Sequence, residues 1–535
     1  MERNLTGWES EGDHYTISNG GYFDLDRVQA DYVLSYTERD YIEPDWFVIN
    51  FVHDGADMLV DSSDEEFAVF QSAEGADFDL NDPREFRFDR VSSQVWGNDN
   101  KEVIGTLNTK VPLVWNWTHG YMKAGLKHRS LRQHQFSMTD VYSGYDGVFT
   151  LADVVADYHN TGVIDGRYDH GPMPHLDASR AFLADNLERF DYSVTESHLD
   201  SDPGTWTAEE DISAAYALVH IQRGDLRMVA GVRFEQTKLS YEAGEVLLDE
   251  QGEFIDSNRL TDSNRYRNTF PGIHFRYDRG HFSYTGSWSN TVWRPWYGMV
   301  VPFRFVNQRD EFVDQGNPDL LPTLTENYNA AVDYKISDST TLSLELKYVD
   351  VEDSLFYEIT RVETGPFAGY RLGTNKNGPS SEFSSVRILW NQSLGDIFQP
   401  LHLVHFNLDY TYTHTETEYP SRPGITLPLQ KYPEHRTQFN LRYASKKIFA
   451  QLQCSYQVEQ LGNIDKEVWR DRYDFDKVWM NFTGSYSMTR KVRAFVNVHN
   501  VLNVPAHRSY IGSESRPADY NWDPRRFNVG FRLEL

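Results

Sequence analysis

Asp157, His159, Asp169, His170, His175 and Asp177 crowd into one polar stretch between Asp153 and Asp177, and imidazole with carboxylate is a ligand set suited to a transition metal. Their spacing is irregular. Neither the alternate-residue interval of a strand nor the interval of a helix is present to aim two of them at one ion, so the stretch reads as a hydrated connection and no metal is expected. A second group is aromatic: Trp293, Trp296, Tyr297, Tyr370 and Trp522 stand in polar segments, where rings can stack on sugars or aromatic chelators. A Gly-Lys-Thr phosphate loop, a His-Glu-x-x-His helix, a Cys-x-x-Cys pair and a Gly-x-Ser-x-Gly nucleophile turn are all missing from the sequence. No catalytic residue is nominated, no cofactor is implied and enzyme chemistry is not expected. The single cysteine, Cys454, excludes an internal disulfide framework.

The elements that carry these residues must come from 535 residues with 14% aromatic and 24% charged side chains and a mean hydropathy of -0.60. So many rings argue against disorder. Apolar runs such as Val111 to Trp115 are far shorter than the roughly 18 residues of a membrane-spanning helix. A closed barrel is the other structure that satisfies its backbone in lipid, and its alternating strands leave little trace in a hydropathy average. The net charge of -29 argues against binding a phosphate backbone, so nucleic acid is not an expected partner. Its acids are scattered through segments such as Asp61 to Glu66 and Glu196 to Asp211 and read as solubilising. The opening residues, Met1 to Thr6, lack the apolar core of a secretory signal, so the chain as it stands carries no export address.

Period-two alternation dominates the pattern. Leu342, Leu344, Leu346 and Tyr348 share one face, opposite Ser343, Glu345 and Lys347; Phe406, Leu408, Tyr410 and Tyr412 oppose Asn407, Asp409, Thr411 and Thr413. The same rhythm runs through Ile448 to Tyr456 and from Phe527 to the end. Connections alternate between tight turns (Asp278 to Gly280, Ser337 to Ser339, Ala444 to Lys447, Ser487 to Arg490) and long polar stretches (Arg294 to Thr325, Thr360 to Ser380, Thr417 to Glu434, Gln460 to Phe475, Asn500 to Pro524). A sandwich has no reason to sort its loops in this way, whereas a transmembrane barrel has tight hairpins at one end and functional loops at the other. The pattern predicts about 18 strands, with apolar side chains outward and polar ones inward. Trp288, Trp293, Trp296 and Tyr297 are the candidate aromatic girdle at the membrane interface, a reading that suits the loop aromatics better than ligand stacking. The stretch Ser130 to Glu209 exceeds an ordinary connection and is the first candidate for ligand specificity.

Several segments then fall in a recognisable order. Ala214-Ala215-Tyr216 is followed by Gly231-Val232-Arg233-Phe234-Glu235, by Phe270-Pro271-Gly272-Ile273 and by Trp293-Arg294-Pro295. Next come Gly316-Asn317-Pro318-Asp319-Leu320 with Pro322, Glu326-Asn327-Tyr328, then Asn497, Asn500-Val501-Leu502-Asn503-Val504-Pro505 and Arg525-Arg526-Phe527. This series resembles the TonB-dependent outer-membrane receptor family, well over 214–535 and only in style over 1–213. The resemblance implies an all-β fold, a large antiparallel barrel in the outer membrane, possessing 22 strands in plugged transporters. It implies uptake of a scarce solute, an iron-siderophore, cobalamin or oligosaccharide, with outer-membrane lipid, the barrel assembly machinery and the TonB complex as partners. Family members couple to TonB through an N-terminal box and a plug domain, and neither is found in this sequence; Leu535 stands where the family usually ends in an aromatic residue. A barrel portion alone leaves four other readings open: a non-functional receptor fragment, a passive porin-like channel, an outer-membrane barrel enzyme and a soluble all-β binding protein.

Overall fold

A computed structural model describes residues 1–54, 58–61, 69–72, 79–115, 118–157, 166 and 171–533. One large antiparallel sheet organises them. Its long strands are β1 (Glu11–Leu25), β2 (Val28–Val52), β3 (Arg87–Trp115), β4 (Thr118–Tyr145), β5 (Trp206–Arg223) and β6 (Leu226–Leu248). They continue through β7 (Phe254–Arg279), β8 (Phe282–Trp293), β9 (Thr323–Lys335), β10 (Thr341–Glu352), β11 (Ser381–Ser393) and β12 (Val404–Glu418). The last are β13 (His435–Ala444), β14 (Ile448–Gln457), β15 (Lys477–Ser487), β16 (Val492–His499) and β17 (Arg526–Leu533). Each pairs antiparallel with its predecessor and successor, the pairing of an up-and-down meander. The expected number of strands is nearly met, and the expected alternation of short and long connections is present except between β6 and β7, which meet at the loop end through the tight turn 249–253.

Strands of 25 to 29 residues in the first half outrun the roughly 9–11 residues needed to cross a bilayer, so their ends project at the side of the long loops. Side-chain direction follows the period of two. Leu342, Leu344, Leu346 and Tyr348 are exposed on the outer face of β10, while Glu345 on the same strand joins an inward ion pair with Arg387. At the turn end, Phe282 stacks on Tyr334 at 4.6 Å and Trp390 meets Phe406 edge-on at 4.9 Å. Nearer the loop end Trp288, Tyr328 and Tyr348 lie in one register row across three strands. Glu326 accepts from both the Trp288 indole at 2.6 Å and the Tyr328 hydroxyl at 2.8 Å.

The connection after β4 corrects the sequence reading. Ser130 to Tyr145 and Trp206 to Glu209 are strand, so the stretch assigned wholly to a loop is shorter than Ser130 to Glu209 and contains helices α1 (Leu176–Asp185) and α2 (Val194–Ser201). β5 starts at Trp206 opposite Gln135, and on that edge the end of β4 meets only the three-residue strand Phe190–Tyr192, which pairs with it at Tyr142 and Tyr145 and leaves Ser137 to Val141 between the two. Hydroxyls fill the gap: Ser197 accepts from the Val141 amide at 2.9 Å, Ser201 from Thr139 at 2.8 Å and Thr205 from Ser137 at 3.1 Å. The amide donors of Ser137, Thr139 and Val141 are thereby paired between the two strands. Phe149, Leu151, Val154 and Phe190 of this connection pack on Phe47, Ile49, Phe51 and Val91.

Among the described residues, β1 pairs only with β2 and β17 only with β16. β1 descends into the tight turn at Asp26 and Arg27, and β17 follows the long connection after His499, so both run toward the turn end. Their side chains are exposed almost throughout.

Candidate functional site

The connection from Arg294 to Pro322 folds back onto the inner wall. Alternation puts Phe234 on the outer face of β6, hence Glu235, Thr237, Leu239, Tyr241 and Ala243 face inward. Leu239, Tyr241 and Ala243 are buried together with Trp206 and Ala208 of β5 against Val300, Val301 and Leu320 of the connection. Here the expected rule of apolar-out and polar-in reverses, because these strand ends project past the apolar belt and bury their apolar face on protein. A four-residue helix, α3 (Tyr297–Val300), and a short strand, Arg304–Asn307, complete the inward fold, and the strand adds parallel to Glu245–Leu248 of β6.

The motif Gly316 to Leu320 anchors this fold. A Cβ on Gly316 would run into the carbonyl oxygen of Val301, so only glycine lets the two backbones meet. The Asn317 amide donates to Met299 O at 2.8 Å, its side chain donates to Asn375 O at 2.9 Å, and Asn264 of β7 donates to Pro318 O at 2.7 Å. The Leu321 amide reaches Asn377 Oδ1 at 2.9 Å. Read as a turn signal in the sequence, the motif ties the infolded connection to both the wall and the neighbouring loop.

Two ion-pair clusters flank the packed patch. Glu235 is clamped between Arg233 and Arg294, each at 2.6 Å, and Arg129 bridges Glu102 at 2.5 Å and Glu210 at 2.6 Å. Burial, reinforced by the charge of Glu210, raises the Tyr297 hydroxyl above the usual phenol range and keeps it neutral. Toward the turn end the wall opens into a cavity of about 670 Å³ whose polar lining includes His220, His274, Lys347, Glu345 and Arg387. Arg387 makes a two-pronged contact with Asp409, at 2.9 and 2.6 Å, and a third with Glu345 at 3.3 Å. This wall can hold a polar, charged occupant.

The residues singled out in the sequence fall differently. Of the four girdle candidates, Trp288 takes the outward position. Trp293 alternates to the face of Ser289 and Thr291, Trp296 is exposed at the head of α3, and Tyr297 packs on Trp206 with ring centroids 6.1 Å apart. Tyr370 packs on Phe367 and Trp522 stacks on Tyr520 in the outer loops. His159, Asp169 and His170 lie outside the described residues. His175 caps α1 by accepting the Ala178 amide at 3.3 Å, and no group of three or more possible metal ligands assembles among the described residues. The inward patch around Trp206 and Tyr241 was missed because alternation alone cannot say which face of a strand end meets protein.

An apolar outer band, aromatic rows at both of its edges, a polar inner wall and sorted loops define a transmembrane β-barrel of the outer membrane. The model of the outer membrane protein β-barrel family matches residues 182–532, and the chain belongs to that family. Among solved structures it is similar to the ferric-catecholate import receptor Fiu of Escherichia coli K12, with a TM-score of 0.61 at 12% identity over 98% of this chain and 64% of that one. It is also similar to BauA, the ferric preacinetobactin receptor of Acinetobacter baumannii, with a TM-score of 0.55 at 9% identity over 98% of this chain and 63% of that one. The chain thus spans less than two thirds of either receptor, and at these identities the likeness establishes the fold. No curated protein sequence matches it.

Proposed function

We propose that this chain is the barrel of an outer-membrane uptake receptor for a scarce solute, an iron chelate first among the candidates. The observation that carries the reading is the connection from Arg294 to Pro322, folded onto the inner wall and pinned by Arg294–Glu235 and by the Asn317 and Asn264 bonds. A passive pore gains from an open lumen; a receptor gains from an interior shaped to hold something. Similarity to import receptors supports the same reading. In this reading transport is driven by the TonB complex, through a plug and coupling box of the whole receptor.

The test is uptake of radioactive ferric catecholate by cells that produce the chain from its natural locus, with and without the proton gradient. Gradient-dependent uptake lost on deletion supports the receptor. Gradient-independent leakage of unrelated solutes of the same size would instead establish a porin-like channel.

A further inference from the structure

A trough runs along the outside of β5. Its outward residues are small: Ser213, Ala215 and Ala217. In register with Ala215 stand Leu126 of β4 on one side and Phe234 of β6 on the other, both exposed, with Leu107 of β3 beyond Leu126. Strands lie roughly 4.8 Å apart, so two tall apolar side chains flank a low strip about one hydrocarbon chain wide. The concavity measures about 860 Å³ and its surface is almost wholly apolar.

Toward the loop end the trough meets a polar rim. His128, Ser213, Gln236 and Arg267 form one register row, and Ser130, Asp211, Lys238 and Arg265 form the next. Arg265 and Arg267 both donate to Gln236 Oε1, at 2.6 and 3.3 Å. Among the described residues, Lys238, Arg265 and Arg267 make no ion pair within 4 Å, although Asp211 is the register partner of Lys238. Lys238 and Arg265 are also directly opposite each other, and like charges so placed repel. Three cations against one carboxylate gather here on a chain whose net charge is -29.

We infer that this trough and rim bind a lipid with an anionic, phosphate-bearing headgroup in the external leaflet. Its acyl chain lies along Ala217 and Ala215 between Leu126 and Phe234, and its phosphate sits among Lys238, Arg265 and Arg267, which relieves their repulsion. Guanidinium groups match phosphate oxygens in geometry as well as charge.

The full chain, folded in zwitterionic detergent, is examined by native mass spectrometry with equal amounts of phosphatidylglycerol and phosphatidylcholine of identical acyl chains. Phosphatidylglycerol is expected to be retained about tenfold or more over phosphatidylcholine, from two net cations at roughly a factor of five each. The triple variant Lys238→Gln, Arg265→Gln, Arg267→Gln should equalise the two lipids. Ala215→Phe should lower retention of both, and Ala217→Phe serves if that variant does not regain heat-modifiable mobility. Equal retention by the unaltered chain, or an undiminished preference in the triple variant, overturns the proposal. Displacement of the lipid by millimolar sodium phosphate alone overturns it in favour of a free-anion site.

Discussion

Arg422 and Asp471 form an ion pair enclosed by protein, with side chains 5% and 3% exposed, that joins the loop after β12 to the loop after β14. The Arg422 guanidinium also donates to Asp465 O at 2.6 Å, and Asp471 accepts the Asp465 amide at 3.0 Å, so one pair fixes the backbone of the second loop. Arg422→Ala leaves Asp471 charged and enclosed. The expected loss is about 3 kcal/mol, the low end for a broken buried pair because the loop cluster lies close to water. Limited proteolysis should cut between Gln460 and Phe475 while the barrel keeps its heat-modifiable mobility; an uncut loop would contradict the pairing.

Asn500 is fully buried in a left-handed backbone conformation (φ 50°), and its side chain donates to Val504 O and Asp523 O, both at 2.6 Å, and accepts the Val504 amide at 3.1 Å. Asn500→Ala should lower stability by about 2 kcal/mol through the carbonyls and amide left unpaired. Asn500→Gly should recover only the backbone part of that loss. Thermal melting of the folded barrel ranks the three proteins, and Gly equal to Asn would show that the hydrogen bonds contribute nothing.

The facing of β10 is tested by two arginines one residue apart. Leu344→Arg places a charge on the lipid side and should cost about 2–4 kcal/mol near the midplane. Ser343→Arg points inward to water and polar groups, and should cost far less. Equal penalties in denaturant-dependent refolding into vesicles would reverse the assignment.

Arg294 holds the infolded connection by its ion pair with Glu235. Arg294→Ala should loosen that connection and raise single-channel conductance in planar bilayers, and Gly316→Val should do the same through its clash with Val301 O. Unchanged conductance in both variants would mean that the connection does not narrow the lumen.

At the opposite end, the carboxylate of Asp396 accepts from Ser337 at 2.6 Å and from Thr340, and these hydrogen bonds hold it below the usual carboxylate range. Its contribution to the turn is complete above the ordinary aspartate value of about 3.9 and is lost as pH falls through the lowered folded value. Amide exchange at Ser339 and Thr340 should therefore stay slow at mildly acidic pH and quicken only on stronger acidification. Asp396→Asn should remove that pH dependence.

Much of the wall was legible in the sequence because alternation is a local signal. Ser343 and Leu344 point apart in any strand, and the tight turn before Phe282 differs from the long connection after Trp293 in composition as well as length. What lay beyond local reading is tertiary. The strand Arg371–Asn377 sits inside the stretch Thr360 to Ser380 that reads as polar loop; it forms a hairpin with Leu355–Arg361 and adds parallel to Phe312–Gln315 of a neighbouring loop, a pairing no local pattern announces. Tyr297 reads as an interfacial ring until Trp206 and Glu210 are seen to enclose it. The Gly316 to Leu320 motif showed where the chain turns and concealed what it holds.

The shared direction of β1 and β17 sets a parity rule for sealing the wall. Two edges that descend together cannot zip to one another in antiparallel register, and a second copy in the same membrane orientation offers the same two descending edges. A segment that closes the seam by antiparallel pairing must cross the membrane an odd number of times, entering beside β17 and leaving beside β1. Antiparallel pairing between two copies at these described edges is thereby excluded by direction alone, so an antiparallel partner is selected first by the parity of its strands and only then by its side chains.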